Sequence, residues 1–131
     1  MKRLLDTNIC IAYLHRAEQD VIQKFAQTKP RELVLCSVVK AELLYGARRS
    51  KRVSENLQRL GQFFASFESL PFDDKAADFY GANRATLVSG GTPIGINDLL
   101  IASIALAHDL TVVTRNTKEF ARVPGLRLET W

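Results

Sequence analysis

Cysteine and histidine are scarce in this chain, with two of each among 131 residues. Neither Cys10 nor Cys36 has a Cys or His partner at metal-ligand spacing, so neither a thiolate metal site nor a disulfide framework is expected. Each lies in an apolar segment and is expected to be a small buried hydrophobe. Long apolar runs are also missing. None approaches the ~20 residues that span a bilayer, so contact with a membrane is not expected. The opening Met1-Lys2-Arg3-Leu4-Leu5-Asp6 lacks the apolar stretch and small-residue cleavage site of a secretory leader, and a cytoplasmic protein is expected. Repeats, low-complexity tracts and composition breaks are absent too. One domain over residues 1–131 with one core is therefore expected.

What the chain does have is 47% hydrophobic and 24% charged residues, the balance of an ordinary globular protein. Basic residues outnumber acidic ones 18 to 14, for a net charge of +4. Part of the excess is local, in Arg48-Arg49-Ser50-Lys51-Arg52. Such a run is either a solvated turn or a contact for a polyanion.

Short β-like runs alternate with helical patterns. Strands are expected at Arg3–Leu5, Leu33–Cys36 and Thr111–Thr114, with shorter ones at Ser69–Pro71 and Leu126–Leu128. Helices are expected at Ile9–Arg16, Glu18–Thr28, Val38–Arg49, Val53–Phe67, Asp73–Val88 and Asn97–His108. Thr7 or Asn8 is the expected cap of the first helix and Ser37 of the third. His15 and His108 fall at helix C-terminal ends, where a ring helps satisfy carbonyls. Strands separated by helices give an α/β fold, a mostly parallel sheet covered on both faces, whose sites lie at the strands' carboxyl ends.

Carboxylates stand at those places. Asp6 directly follows the first strand. Asp98 opens "GINDLLIA", a helix apolar almost all round. Glu42 shares a helical arc with Val38, Val39, Tyr45 and Gly46, away from Lys40 and Arg48, and so is expected on the inward stripe. Each has a plain alternative: Asp6 as a helix cap, Asp98 as a first-turn residue, Glu42 in an ion pair. Together they are harder to explain structurally. Two such charges ~4 Å apart repel by roughly 4 kcal/mol at an effective dielectric near 20. A divalent cation removes that repulsion, and oxygen ligands without Cys or His favour Mg²⁺ or Mn²⁺ over zinc. Past the fourth expected strand, Asn116 offers an amide oxygen and Glu119 a further carboxylate, or a solvated residue beside Lys118. Thr7 and Thr114 follow strands and either orient carboxylates or cap turns.

The stretches "LLDTNI", "SVVKAELLYGA" from Ser37, "GTPIGINDLLIA" from Gly91 and "VVTRNTKEFARVPGLRLETW" to the end together resemble the PIN-domain ribonuclease toxins of the VapC type. The resemblance spans nearly the whole chain, with the four blocks in family order. It implies a three-layer α/β/α sandwich, a single PIN domain over residues 1–131. It also implies an Mg²⁺-dependent endoribonuclease, with Mn²⁺ able to substitute, that cuts structured RNA, often tRNA. The family's acids fall on Asp6, Glu42 and Asp98, expected to serve as metal ligands. Many PIN domains place a fourth Asp where this chain has Asn116; a related subgroup uses the glutamate of an N-T-x-E-F stretch, which matches Glu119. Thr7, Asn8, Thr114 and Asn116 would support the acids, and Arg48, Arg49, Lys51 and Arg52 would hold the RNA backbone. A small antitoxin that blocks the acidic pocket, a homodimer, and contact with operator DNA only through the antitoxin are implied as well. The alternatives are a non-catalytic RNA-binding module on the same fold and a DNase. An aspartate-based phosphatase would need a second Asp where Asn8 stands.

Overall fold

The computed structural model describes residues 2–131. Five parallel strands form one sheet in the order β3-β2-β1-β4-β5: β1 (Arg3–Leu5), β2 (Leu33–Cys36), β3 (Glu68–Leu70), β4 (Thr111–Val113) and β5 (Arg127–Glu129). The helices are α1 (Thr7–Leu14), α2 (Gln19–Gln27), α3 (Ser37–Arg48), α4 (Val53–Ala65), α5 (Asp74–Ser89), α6 (Ile96–Ala107) and the single turn α7 (Thr117–Phe120). Every connection between neighbouring parallel strands crosses over through helix, as parallel pairing requires.

The central strands are short and mostly apolar, with Arg3 and Thr111 the exceptions. Successive side chains of a strand point to opposite faces. All four residues of β2 and all three of β4 are buried, so both faces of the sheet are covered. This is the α/β/α sandwich expected from the alternation of elements. The two edge strands are half-exposed, which is why Glu68, Arg127 and Glu129 are tolerated in them. Beneath α6, Leu99, Ile101, Ala102, Ser103, Ile104, Ala105 and Ala107 are buried, as its nearly uniform apolarity foretold. A stacked Tyr13–Phe25 pair, with ring centroids 4.0 Å apart, joins α1 to α2, and Trp131 packs edge-on against Phe25 at 5.3 Å.

Cys10 and Cys36 are buried, as expected, and burial raises both thiol pKa values, which disfavours the reactive thiolate. Several local expectations change. The cap of α1 is Asp6, whose Oδ1 accepts from the Ile9 N–H at 3.0 Å, rather than Thr7 or Asn8. Ser37 is the first residue of α3, and Cys36 stands at its cap position without a side-chain bond. The edge strands pair at Glu68–Leu70 and Arg127–Glu129, offset by one residue from the apolar runs, because ladder register on β2 and β4 decides them.

The chain runs outward from β1 to β2 and β3, then returns to β4 on the other side of β1. The strand order therefore reverses between β1 and β4, and the crevice above their carboxyl ends is where an open α/β sheet places a ligand.

Candidate active site

Asp6 and Thr114 are the first residues past β1 and β4, side by side at that crevice. The Asp6 N–H donates to the Val113 carbonyl at 3.1 Å, which continues the ladder by one residue. Asp6 is 5% exposed and Thr114 wholly buried. The Thr114 hydroxyl donates to Asp6 Oδ2. With Oδ1 capping α1, both carboxylate oxygens are occupied by donors. Burial pushes the Asp6 pKa up, with a further push from Glu42, against the lowering effect of those donors.

Glu42 enters from α3. The buried stripe of that helix is Val39, Leu43 and Ala47. Glu42 is half-buried beside the stripe rather than on it, and Tyr45 is 64% exposed. The expected inward arc therefore faces the crevice and an adjoining groove instead of the core. The Thr7 hydroxyl donates to Glu42 Oε1 at 2.6 Å. The groove, about 280 Å³, runs from Glu42 between α1, α3 and α4, past Leu43, Ala47, Asn56 and Arg59. Gly46 lines it, and the space beside its Cα is open: a Cβ there would meet nothing within 4 Å.

Asp98 lies half-buried in the first turn of α6. Asn116 immediately precedes α7, and Glu119 lies within it, one turn on. The Asn116 side-chain N–H₂ donates to Asp98 Oδ2 at 3.1 Å and to Glu119 Oε2 at 2.6 Å. The Gly95 N–H points at Glu119 Oε1 at 3.4 Å. Burial, then the Glu119 carboxylate, lifts the Asp98 pKa to about 6, and Asp6 and Glu42 add to the lift. The Asn116 amide holds Glu119 below its ordinary range. Of this pair Asp98 is therefore the acid that takes up a proton first as pH falls.

Asp6, Glu42, Asp98 and Glu119 thus come near enough to repel one another across one crevice. None of them forms an ion pair with a Lys or Arg among the described residues. Nor do three of them converge closely enough to cage an ion. The donor set still suits a hard cation that keeps part of its water shell and takes one or two carboxylates, as Mg²⁺ does. Asn8 is exposed, and its contribution is a backbone N–H turned toward Asp6. Arg48, Arg49, Lys51 and Arg52 are exposed around the end of α3. Arg49 lies 5.4 Å from the Tyr45 ring centre, and Arg52 reaches Glu55 at 3.5 Å. Two features escaped the sequence reading. The Thr7–Glu42 bond joins residues 35 apart in the chain, and no local pattern announces it. The amide bridge had a signal in the i, i+3 spacing of Asn116 and Glu119.

A parallel sheet that reverses its strand order at a crevice of acids is the frame of a PIN domain, and the PIN-domain family model matches residues 3–126. The chain is 40% identical to ribonuclease VapC2 of Rickettsia felis, over 98% of this chain and 96% of that protein. It is 37% identical to the tRNA(fMet)-specific endonuclease VapC of Salmonella typhimurium, over 100% of this chain and 98% of that protein. The crystal structure of VapBC2 from Rickettsia felis bound to a promoter DNA fragment superposes with a TM-score of 0.92 at 38% identity, covering 100% of this chain and 99% of that one. The chain belongs to the VapC ribonucleases of the PIN-domain family.

Proposed function

We propose that this ribonuclease is the toxin of a toxin–antitoxin pair, and that it cuts structured RNA, with tRNA as its substrate class, at the crevice of Asp6, Glu42, Asp98 and Glu119. One observation carries the reading: four carboxylates face one crevice at the reversal of strand order, and among the described residues none of them is ion-paired to a Lys or Arg side chain. A divalent cation, Mg²⁺ with Mn²⁺ as substitute, would relieve the mutual repulsion, and Asp6, Asp98 and Glu42 would hold it, one or two of them directly and the rest through its water shell. The chemistry such an ion supplies is activation of water and neutralisation of charge growing on the phosphate.

The chain's own residues set up the rest. Thr114 and Thr7 fix the orientation of Asp6 and Glu42 by donating to one oxygen of each, leaving the other lone pairs free for ligands. Asn116 bridges Asp98 and Glu119 by donating to both. Glu119, at the rim, is the fourth acid and serves the attacking water or a second ion. Exposed Tyr45 and the Arg48–Arg52 turn extend the helix that carries Glu42. They offer a stacking face and phosphate contacts to an RNA strand entering the crevice. The single domain over residues 1–131 acts in the cytoplasm, where translation is stopped by loss of the cut RNA.

Relatives in Rickettsia felis and Salmonella typhimurium form VapBC complexes on DNA. By that likeness the partner is a small antitoxin whose tail blocks the acidic crevice. The groove that opens beside Glu42 is where such a tail would lie. Homodimerisation, and contact with operator DNA only through the antitoxin, belong to the same reading. The test is sequencing of RNA 5′ ends after brief expression of the wild type and of Asp98→Asn. New ends confined to a few positions in the wild-type sample support the reading. Identical end profiles in the two samples sink it, and new ends in DNA instead would point to a DNase.

A further inference from the structure

We infer that Arg115 is a positioning residue, holding from behind the segment that presents Thr114 and Asn116 to the acids. The inference rests on the RNA-cleaving reading for its activity readout and on geometry alone for its structural one. Thr114 and Asn116 both turn toward the crevice: one donates to Asp6, the other to Asp98 and Glu119. The two are themselves tied, because the Asn116 N–H donates to Thr114 Oγ1 at 2.9 Å. Arg115, the residue between them, stands at a bend, and its guanidinium bonds to Trp131 and Glu18 rather than to the acids.

Its guanidinium is gripped at two points far apart in sequence. Nε donates to the Trp131 main-chain oxygen at 2.8 Å, and Nη1 pairs with Glu18, the residue immediately before α2. Trp131 is itself locked. Its ring packs on Phe25, its Nε1 donates to Glu129 at 2.6 Å, and Glu129 takes a bond from Arg3 at 2.9 Å. The short segment between β4 and α7 is thus clamped to α2, β5 and β1, on the side away from the acids. A planar fork with several donors suits such a two-point grip, and a lysine cannot reproduce it. A half-exposed ion pair adds little to stability by itself, so the effect of this grip falls on orientation. If the segment swivels, the donors to three of the four acids shift together.

The experiment compares Arg115→Ala, Arg115→Lys and Glu18→Gln with the wild type and with Lys118→Ala, a neighbouring exposed charge, as control. For Arg115→Ala the kcat of RNA cleavage is expected to fall about 10-fold with KM within ~2-fold, as a misaligned constellation dictates. Arg115→Lys should recover part of the loss, and Glu18→Gln should fall in the same direction by less. Without metal or RNA, the Asn116 side-chain amide resonances should move or broaden in Arg115→Ala and Glu18→Gln, and stay put in Lys118→Ala. Unchanged amide resonances would overturn the inference. So would an unchanged kcat with raised KM and a flatter salt dependence, or tighter RNA binding by Glu18→Gln, since either makes Arg115 a direct RNA contact. Should Arg115→Ala fail to fold, the milder Glu18→Gln still decides the matter. Wild-type protein that cuts no RNA would sink the function while the amide signature still tested the positioning.

Discussion

The two halves of the acidic crevice are stabilised differently. On the β1–α3 side each carboxylate has its own hydroxyl: Thr114 serves Asp6 and Thr7 serves Glu42. On the α6–α7 side Asp98 and Glu119 share one amide, that of Asn116. A private donor favours the charged form of its acid. A shared donor brings two acids to one point, where like charges cannot both ionise at low cost. Burial raises the pKa of both Asp6 and Asp98; the donors to Asp6 oppose the rise, whereas Glu119 adds to that of Asp98, which reaches about 6. The α6–α7 half is therefore the half with unrelieved charge, and a bound cation changes it most.

Replacing an acid in either half gives the largest effect. Asp6→Asn and Asp98→Asn should each lower RNA cleavage at least ~100-fold at saturating Mn²⁺, about 2.7 kcal/mol of barrier. Single-turnover cleavage measures it, and wild-type rates in Asp98→Asn would remove the α6–α7 half from the chemistry. Glu119→Gln comes next, with a fall of at least ~10-fold, about 1.4 kcal/mol. Asn116→Ala should be milder. It should also move the acid limb of the pH–rate profile to higher pH, because losing a donor to the ionised form raises the pKa of Asp98 and Glu119. If Glu119→Gln cuts like wild type while Asn116→Ala is dead, the two roles are reversed.

Stability without metal separates the halves a third way. The folded Asp98 titrates near 6, above the ordinary 3.8. Between those values the folded chain binds more protons than the unfolded one, so stability falls as pH rises through the window. Asp98→Asn lacks this loss. In chelator its Tm should exceed that of the wild type by a few degrees at pH 7.5 and match it near pH 4, the size being limited because Asp98 is only half-buried. Thermal melts across that range check it, and a lower Tm for Asp98→Asn at pH 7.5 would contradict the comparison.

Much of this was legible in the sequence, for unequal reasons. β1, β2, β4 and α6 announced themselves because each is dominated by apolar residues on more than one face, which a doubly covered sheet and a buried helix tolerate. Asp6 and Asp98 were readable as charges at the ends of such elements. Glu42 was readable on an inward arc of α3, but helical periodicity does not tell whether such an arc faces the core or a groove. The offsets of β3 and β5 were hidden because half-exposed edge strands take their register from their neighbours. The pairing of donors with acids, and the grip on Arg115, depend on contacts across the chain that no local pattern encodes.

The smallest expected effect lies outside both halves. Replacing Arg48 and Arg49 with Ser should flatten the log–log salt dependence of RNA binding by roughly 1–2, a little under one unit per lost phosphate contact. Filter binding at several salt concentrations reads the slope, and an unchanged slope would restrict RNA contacts to the crevice itself.

Calorimetric titration of Mn²⁺ at pH 6, in two buffers of different ionisation enthalpy, tests the central claim most directly. A cation held by the crevice must displace the proton that Asp98 carries. The wild type should then bind Mn²⁺ with release of about half a proton per ion, falling to none at pH 8. Asp98→Asn should bind more weakly and release none. Mn²⁺ binding of equal strength in wild type and Asp98→Asn, with the same proton release at both pH values, would show that the acids of this crevice do not hold the ion.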